Sequence, residues 1–260
     1  MKADARLSVS GTDAALFASD MHLGDHDPDT AAQFFRTLDA QAKSITHLFL
    51  LGDIFEAWVG DDQPDRVAAA LGERLLALGE RGVRVALMRG NRDFLLGVAA
   101  PGLAHWPSRH GALLLEDPSV IGLFGVPVLL AHGDAWCTDD LRYQQFRTEV
   151  RNPDWQRAFL SRPLEERLAT ARAMRAQSER NKAGTDIGDV NDGAVKTALA
   201  AAGVTRVIHG HTHRPGCYPL GAGLERQVLT DWLAATQRGA LLRVSASGQS
   251  TIPAFSPPSD

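Results

Sequence analysis

The chain has 260 residues, 44% of them hydrophobic and 22% charged, and carries a net charge of −4. That composition suits a globular protein with a sizeable core, and the acidic balance argues against a general nucleic-acid binder. Cys137 and Cys217 stand outside any C-x-x-C pair, which argues against a disulfide framework and fits a reducing, cytoplasmic setting; no stretch nears the ~18 apolar residues of a membrane span, and the first residues lack an apolar export segment.

In chain order, AALFA (14–18) reads as a buried strand. A helix comes next, capped by Asp29 or Thr30 and carrying Ala31, Phe34, Phe35 and Leu38. HLFLL (47–51) is the second strand, and Pro64 opens a second helix with Val67, Leu71, Leu75 and Leu78, closed by Gly82. VRVALM (83–88), VPVLLA (126–131) and VTRVI (204–208) complete the apolar runs. Strand and helix alternation implies an α/β fold with a largely buried sheet.

Between 132 and 204 no strand is evident. Leu160, Leu164, Leu168, Ala171 and Met174 recur at helical spacing, Pro163 suits a helix start, and Glu165 and Glu166 fall in its first turn. The expectation is a helical insertion at about 140–185 within a single domain spanning 1–260. Between positions 141 and 182, ten Lys or Arg face five acids, so this segment is +5 and the remainder about −9. The tail FSPPSD is expected to fray.

The chemistry lies in the residues just after each strand. AALFA leads into Asp20 and His22, HLFLL into Gly52 and Asp53, VRVALM into Gly90, Asn91, Arg92 and Asp93, VPVLLA into His132 and Asp134, and VTRVI into His209, His211 and His213. Any one of these is ordinary turn chemistry. Five in succession, each behind its own strand, point to one metal site on loops at a common edge. Asp20, His22, Asp53, Asn91, His132, His211 and His213 offer oxygen and nitrogen donors without thiolate, suiting Mn²⁺, Fe²⁺ or Zn²⁺ more than Ca²⁺. Seven donors are too many for one tetrahedral ion and suit two ions ~3.5–4 Å apart. With only two anionic ligands the pair keeps positive charge, which favours a phosphate. His209 reads as the structural strand end; His26, His47, His105 and His110 have no such context.

This constellation, over roughly 14–235, resembles the calcineurin-like binuclear metallophosphoesterases. The resemblance implies a sandwich of two β-sheets flanked by helices. It implies Asp20, His22 and His213 on one metal, Asn91, His132 and His211 on the other, and Asp53 bridging. Many members of that superfamily carry G-N-H with a histidine able to act as general acid. Position 92 here is arginine, which cannot usefully donate a proton but can clamp phosphate oxygens, and this suits a leaving group needing no proton.

The stretches SDMHLGD, LGDIFEAWVGDD, RGNRDFLLG, AHGDAWCTDD, DVNDGAV and IHGHTHRP further resemble the UDP-2,3-diacylglucosamine diphosphatase family of the lipid A pathway. The resemblance implies hydrolysis of the pyrophosphate of UDP-2,3-diacylglucosamine to 2,3-diacylglucosamine 1-phosphate and UMP. It implies two Mn²⁺ ions, a hydroxide between them as nucleophile, and peripheral attachment to the cytoplasmic face of the inner membrane. Asp53, Asn91 and Arg92 become the catalytic expectation, and Asn91, Arg92, Asp140, Ser178, Asn181, Lys182 and His211 the substrate contacts. SERNKAGTDIGDVN is about two residues shorter than the family's usual stretch, so Asn181 and Lys182 match in kind rather than register. TDWLAATQ departs from the usual histidine-containing form. The basic insertion would meet an anionic membrane or the diphosphate, and its apolar face the acyl chains; an ordinary core-facing stripe is the alternative. No nucleic acid and no protein partner is expected. The rival functions are a phosphoesterase acting on soluble nucleotides, which G-N-R and the insertion disfavour, and a metal-free scaffold, which would be missing one of the ligands.

Overall fold

A computed structural model describes residues 7–98, 104–182 and 188–255, and for 177–182 the backbone alone. The first half matches the sequence pattern: β1 (Ala14–Ala18), α1 (Pro28–Gln41), β2 (His47–Leu51), α2 (Arg66–Glu80) and β3 (Arg84–Met88), with the three strands parallel. The cap of α1 is Asp27 rather than Asp29 or Thr30, since its carboxylate accepts from both the backbone N–H and the hydroxyl of Thr30, at 3.0 and 2.7 Å. Likewise Asp65, not Pro64, begins α2, accepting from Ala68 N at 2.8 Å. Gly82, at φ +82°, then turns the chain into β3.

Next come α3 (Trp106–Arg109), β4 (Ala112–Leu115), β5 (Ser119–Leu123) and β6 (Val126–Leu130). The insertion forms three helices, α4 (Leu141–Val150), α5 (Pro153–Leu160) and α6 (Leu164–Lys182), before α7 (Asp192–Ala202). Strand β7 (Arg206–His209) starts two residues later than expected and takes in His209; β8 (Gly216–Gly221), β9 (Leu224–Val228), β10 (Ala240–Ser245) and β11 (Gly248–Pro253) complete the chain order. One sheet has the order β11-β10-β1-β2-β3-β4, the other β5-β6-β7-β9-β8.

Period-2 alternation explains the layering. Phe17, Phe49, Leu51, Ala86 and Met88 face inward onto Ile121, Val128, Leu130 and Ile208 of the second sheet. Their neighbours Leu16, Leu48, Leu50 and Leu87 face outward under Phe34 and Leu38 of α1 and Leu71 and Leu75 of α2. Helix α7 covers the other side, laying Val195 and Leu199 against Leu129 and Val207. The result is the two-sheet sandwich flanked by helices that the sequence resemblance implies.

The insertion differs in detail from expectation. Leu160 closes α5, whereas Leu164, Leu168 and Ala171 lie on α6, and all four pack onto the main core. These four therefore dock the insertion, while Met174, half-buried, stands outside that cluster. Nor is the positive charge all outward: Arg142, Arg157, Arg162 and Arg172 are exposed, but Arg147, Arg151, Arg167 and Arg175 reach carboxylates elsewhere in the chain. Among the described residues no helix is long and apolar enough to cross a membrane.

Candidate metal centre at the seam of the sheets

The five expected loops converge. Asp20, His22 and His213 place ligand atoms within 4.8 Å of one another, and so do Asp20, Asp53 and His132. Each group draws on both sheets, because Asp20, His22 and Asp53 come after β1 and β2 while His132 and His213 come after β6 and β7. Asn91 joins through its Oδ1, 2.9 Å from His132 Nε2, and the His211 ring lies 5.1 Å from that of His132.

The backbone here is unusual. Asp20, His22, Asp53, His211 and His213 all adopt left-handed φ, from +48° to +69°. For residues with a Cβ this costs on the order of 1–3 kcal/mol each and persists only where the surroundings enforce it. Two glycines do part of the enforcing. A Cβ on Gly90 would stand 2.1 Å from Asp53 Oδ1, and one on Gly210 would stand 2.3 Å from Asp20 Oδ2. The carboxylates thus occupy space that only glycine leaves open, which is the physical content of the G-N-R-D and G-H-T-H motifs. His211 N–H donates to Asp20 Oδ2 at 2.9 Å and Arg92 N–H to Asp53 Oδ1 at 2.8 Å, fixing both carboxylates.

Electrostatics tighten the cluster. Burial opposes ionisation of Asp20, but the His213 imidazole 3.5 Å away and the nearby His132 and His22 hold it well below the usual carboxylate range. Burial would lower His132, yet Asp53, Asp20, Asp134 and Asp117 outweigh it and push the imidazole up to about 9. Burial, then His132, drives His211 down to about 4. His132 Nδ1 sits 3.0 Å from the Leu51 carbonyl, which can only accept, so Nδ1 carries a proton and Nε2 faces Asp53 Oδ1 at 3.6 Å.

These residues fit a divalent cation. Asp20 and Asp53 are 0% and 2% exposed, and without a cation between them the balancing charge must come from protons on His132 and His22, both raised. A divalent ion meets the same oxygens and imidazole lone pairs directly, and the mixed O/N donor set without thiolate suits a transition-metal ion.

Several partners carry no role in the sequence reading. Asp231 Oδ2 is 3.4 Å from His213 Nδ1, backing that imidazole in the way carboxylates back metal-binding histidines; it lies in the TDWLAATQ loop, to which the sequence assigns no role. Glu56 Oε2 is 3.1 Å from His22 Nδ1, at an angle short of a full hydrogen bond. Asp93, fully buried, accepts from Gly90 N at 2.6 Å and Ile54 N at 2.8 Å and so ties the β2 and β3 loops together. Asp134 accepts from Tyr143 Oη at 2.5 Å and Arg147 Nε at 2.8 Å, and the Tyr143 ring stacks 6.1 Å from His211. Asp93 and Asp134 stand directly behind their strands and Glu56 lies within a long matching stretch, whereas nothing in the sequence marks Asp231 or Tyr143.

The LGDIFEAWVGDD stretch proves to be the dock for the insertion. Arg167 of α6 donates to Val59 O at 2.6 Å and to both oxygens of Asp62, and Arg175 of α6 meets Glu56 Oε1 at 3.1 Å. Asp61 holds the floor, accepting from Trp58 Nε1, Gly97 N and Trp106 N at 2.7–3.0 Å. Trp155 of α5 packs on Phe94, two residues beyond Arg92.

Of the expected substrate contacts, Asn91, Arg92 and His211 are at the centre. Asp140 is the exposed N-cap of α4, accepting from Tyr143 N at 2.9 Å. The side chains of Ser178, Asn181 and Lys182 lie outside the described residues. His209 is buried against Trp136, with ring centroids 5.8 Å apart, and burial pushes it down to about 4, so it is a neutral core side chain.

The chain is similar to known proteins along most of its length. The pattern of the family described as calcineurin-like phosphoesterase matches residues 15–215. A UDP-2,3-diacylglucosamine hydrolase of Chromobacterium violaceum is 47% identical over 242 residues, covering 91% of this chain and 97% of that one. Proteins of the same name from Stenotrophomonas maltophilia and Cellvibrio japonicus are each 44% identical, covering 90% of this chain and 96% and 95% of their own lengths.

Proposed function

The chain belongs to the calcineurin-like phosphoesterases and, within them, to the UDP-2,3-diacylglucosamine hydrolases, and from this premise we propose that it cleaves the pyrophosphate of UDP-2,3-diacylglucosamine to 2,3-diacylglucosamine 1-phosphate and UMP. The protein is a metal-dependent hydrolase. The proposed complement is two Mn²⁺ ions, with Asp20, His22 and His213 holding one, Asn91, His132 and His211 the other, and Asp53 between them. When bound, such ions supply an activated water and neutralise charge on the reacting phosphate.

The chain's own residues do the rest. Arg92 carries the reading: its backbone N–H donates to Asp53 Oδ1 at 2.8 Å, which anchors the residue beside the carboxylate proposed to bridge the ions, and its guanidinium lies 3.5 Å from Glu56. A guanidinium holds phosphate oxygens through paired donors and donates no proton. The nucleotide and sugar phosphates that separate on pyrophosphate cleavage need none. Asn91 and His211 are proposed to join Arg92 on the phosphate, and Asp140, Ser178, Asn181 and Lys182 of the insertion are the proposed contacts to the remainder of the substrate. Helices α4–α6 would act as a cap within a single catalytic domain of 1–260. Exposed Arg142, Arg157, Arg162 and Arg172 suit peripheral contact with an anionic bilayer, at the cytoplasmic face of the inner membrane.

The test is to assay purified protein with Mn²⁺ on UDP-2,3-diacylglucosamine, UDP-N-acetylglucosamine and a generic phosphodiester. Turnover of the lipid far above both controls is expected. Equal rates on all three would reject the lipid assignment in favour of a broad phosphoesterase.

A further inference from the structure

One carboxylate touches three functionally distinct parts of the molecule. Glu56 directs Oε2 at His22 Nδ1, 3.1 Å away, while its Oε1 meets Arg92 Nη1 at 3.5 Å and Arg175 Nη1 at 3.1 Å. The side chain is 12% exposed. Its backbone is not free to drift: Glu56 N–H donates to Leu23 O at 3.0 Å, and Leu23 N–H to Ile54 O at 2.8 Å. These bonds splice the loop carrying His22 to the loop carrying Glu56.

We propose that Glu56 is a positioning residue that ties the ring direction of His22, the aim of Arg92 and the docking of helix α6 to a single carboxylate. The proposal rests on the roles assigned above to His22 and Arg92. Its chemistry is that of an outer partner to a ligating histidine: an acceptor at Nδ1 fixes the tautomer and leaves Nε2 for the metal. The second oxygen does different work. It gathers a guanidinium from the β3 loop and one from the cap against the same charge, so a shift of α6 is felt at Arg92. Neither contact alone would couple the cap to the centre.

The experiment compares wild type with Glu56→Gln, Glu56→Leu, Arg175→Gln and the Glu56→Gln/Arg175→Gln double variant. Mn²⁺ affinity is read by calorimetry, and kcat and KM on the UDP-linked lipid. An amide oxygen can face His22 Nδ1 as Glu56 Oε2 does at 3.1 Å, so Glu56→Gln should load Mn²⁺ within about threefold of wild type, whereas Glu56→Leu should lose about 10- to 100-fold in affinity. Arg175→Gln should raise KM, and Glu56→Gln added to it should cost less than it does in the wild-type background. A Leu variant that binds Mn²⁺ as tightly as wild type, or Glu56 and Arg175 effects that simply multiply, would overturn the proposal. If wild type proves inert on the lipid while Glu56→Leu still loses Mn²⁺, the substrate reading fails and the positioning of His22 stands.

Discussion

Replacing Gly90 with alanine should disable the centre without touching a ligand. The added Cβ would lie 2.1 Å from Asp53 Oδ1 and 2.3 Å from Asp53 N, against the 3.0 Å below which such contacts are essentially unknown. One of the two loops must therefore move by about 0.9 Å. Asp53 cannot yield easily, because its carbonyl accepts from His22 N–H at 2.9 Å and its carboxylate from Arg92 N–H at 2.8 Å. Gly90 is held as well: its N–H donates to Asp93 at 2.6 Å and its carbonyl accepts from Arg151 of α4's C-cap at 2.9 Å. Overpacking of this kind costs about 1–3 kcal/mol, which for a chain of this size lowers Tm by about 2–4 °C per kcal/mol. Misplacing a reacting group by about 1 Å costs on the order of 100-fold in turnover. The assay is metal content after dialysis, Tm and kcat/KM for Gly90→Ala, with Gly79→Ala of α2 as control, since nothing lies within 4 Å of a Cβ there. Wild-type metal content and turnover in Gly90→Ala would refute the steric argument.

Asp53→Ala should abolish activity and lower bound metal, since Asp53 is proposed to serve both ions; wild-type turnover would end the binuclear proposal. Arg92→Lys should keep its metal but turn over more slowly, because a paired donor becomes a point charge; unchanged kinetics would detach Arg92 from the reacting phosphate. Burial, and then Asp134, push Asp117 up to about 6, and its Oδ2 has no hydrogen-bond partner. A raised native pKa means stability that is fully present below pH ~4 and lost as pH rises through about 6. Asp117→Asn should therefore gain stability over wild type at pH 7, and the gain should fade towards pH 4; denaturation midpoints at the two pH values would show a constant difference if this reasoning fails.

The centre is more legible in the sequence than the scaffold around it. Each ligand-bearing loop comes after a short, apolar strand buried on both faces, such as HLFLL, and these runs announce themselves. Strands β8, β9 and β11 do not, because residues such as Tyr218, Glu225 and Ser250 share their length with solvent or hairpin partners. The N-caps lie one or two residues from their expected places because DPDT and PDR each offer adjacent candidates, and only side-chain geometry separates Asp27 from Asp29. The charge of the insertion misleads for a different reason. A count of +5 does not distinguish arginines facing solvent from Arg167 and Arg175, whose carboxylate partners lie more than a hundred positions away. Glu56 and Asp231 are silent for the same reason, being acids whose meaning depends on a histidine brought near by folding.

The placement of the ligands across two sheets has a kinetic consequence. Asp20 and His211 are 191 positions apart in sequence, and one ligand grouping needs the loops after β1 and β7 while the other needs those after β1, β2 and β6. The centre therefore needs both sheets in place, and an ion bound there would act as a rivet through the joint between them. Metal should then leave the refolding rate nearly unchanged while slowing unfolding, because the state it stabilises comes after the folding barrier. On that expectation, metal supply rather than folding speed would set how long the folded enzyme persists.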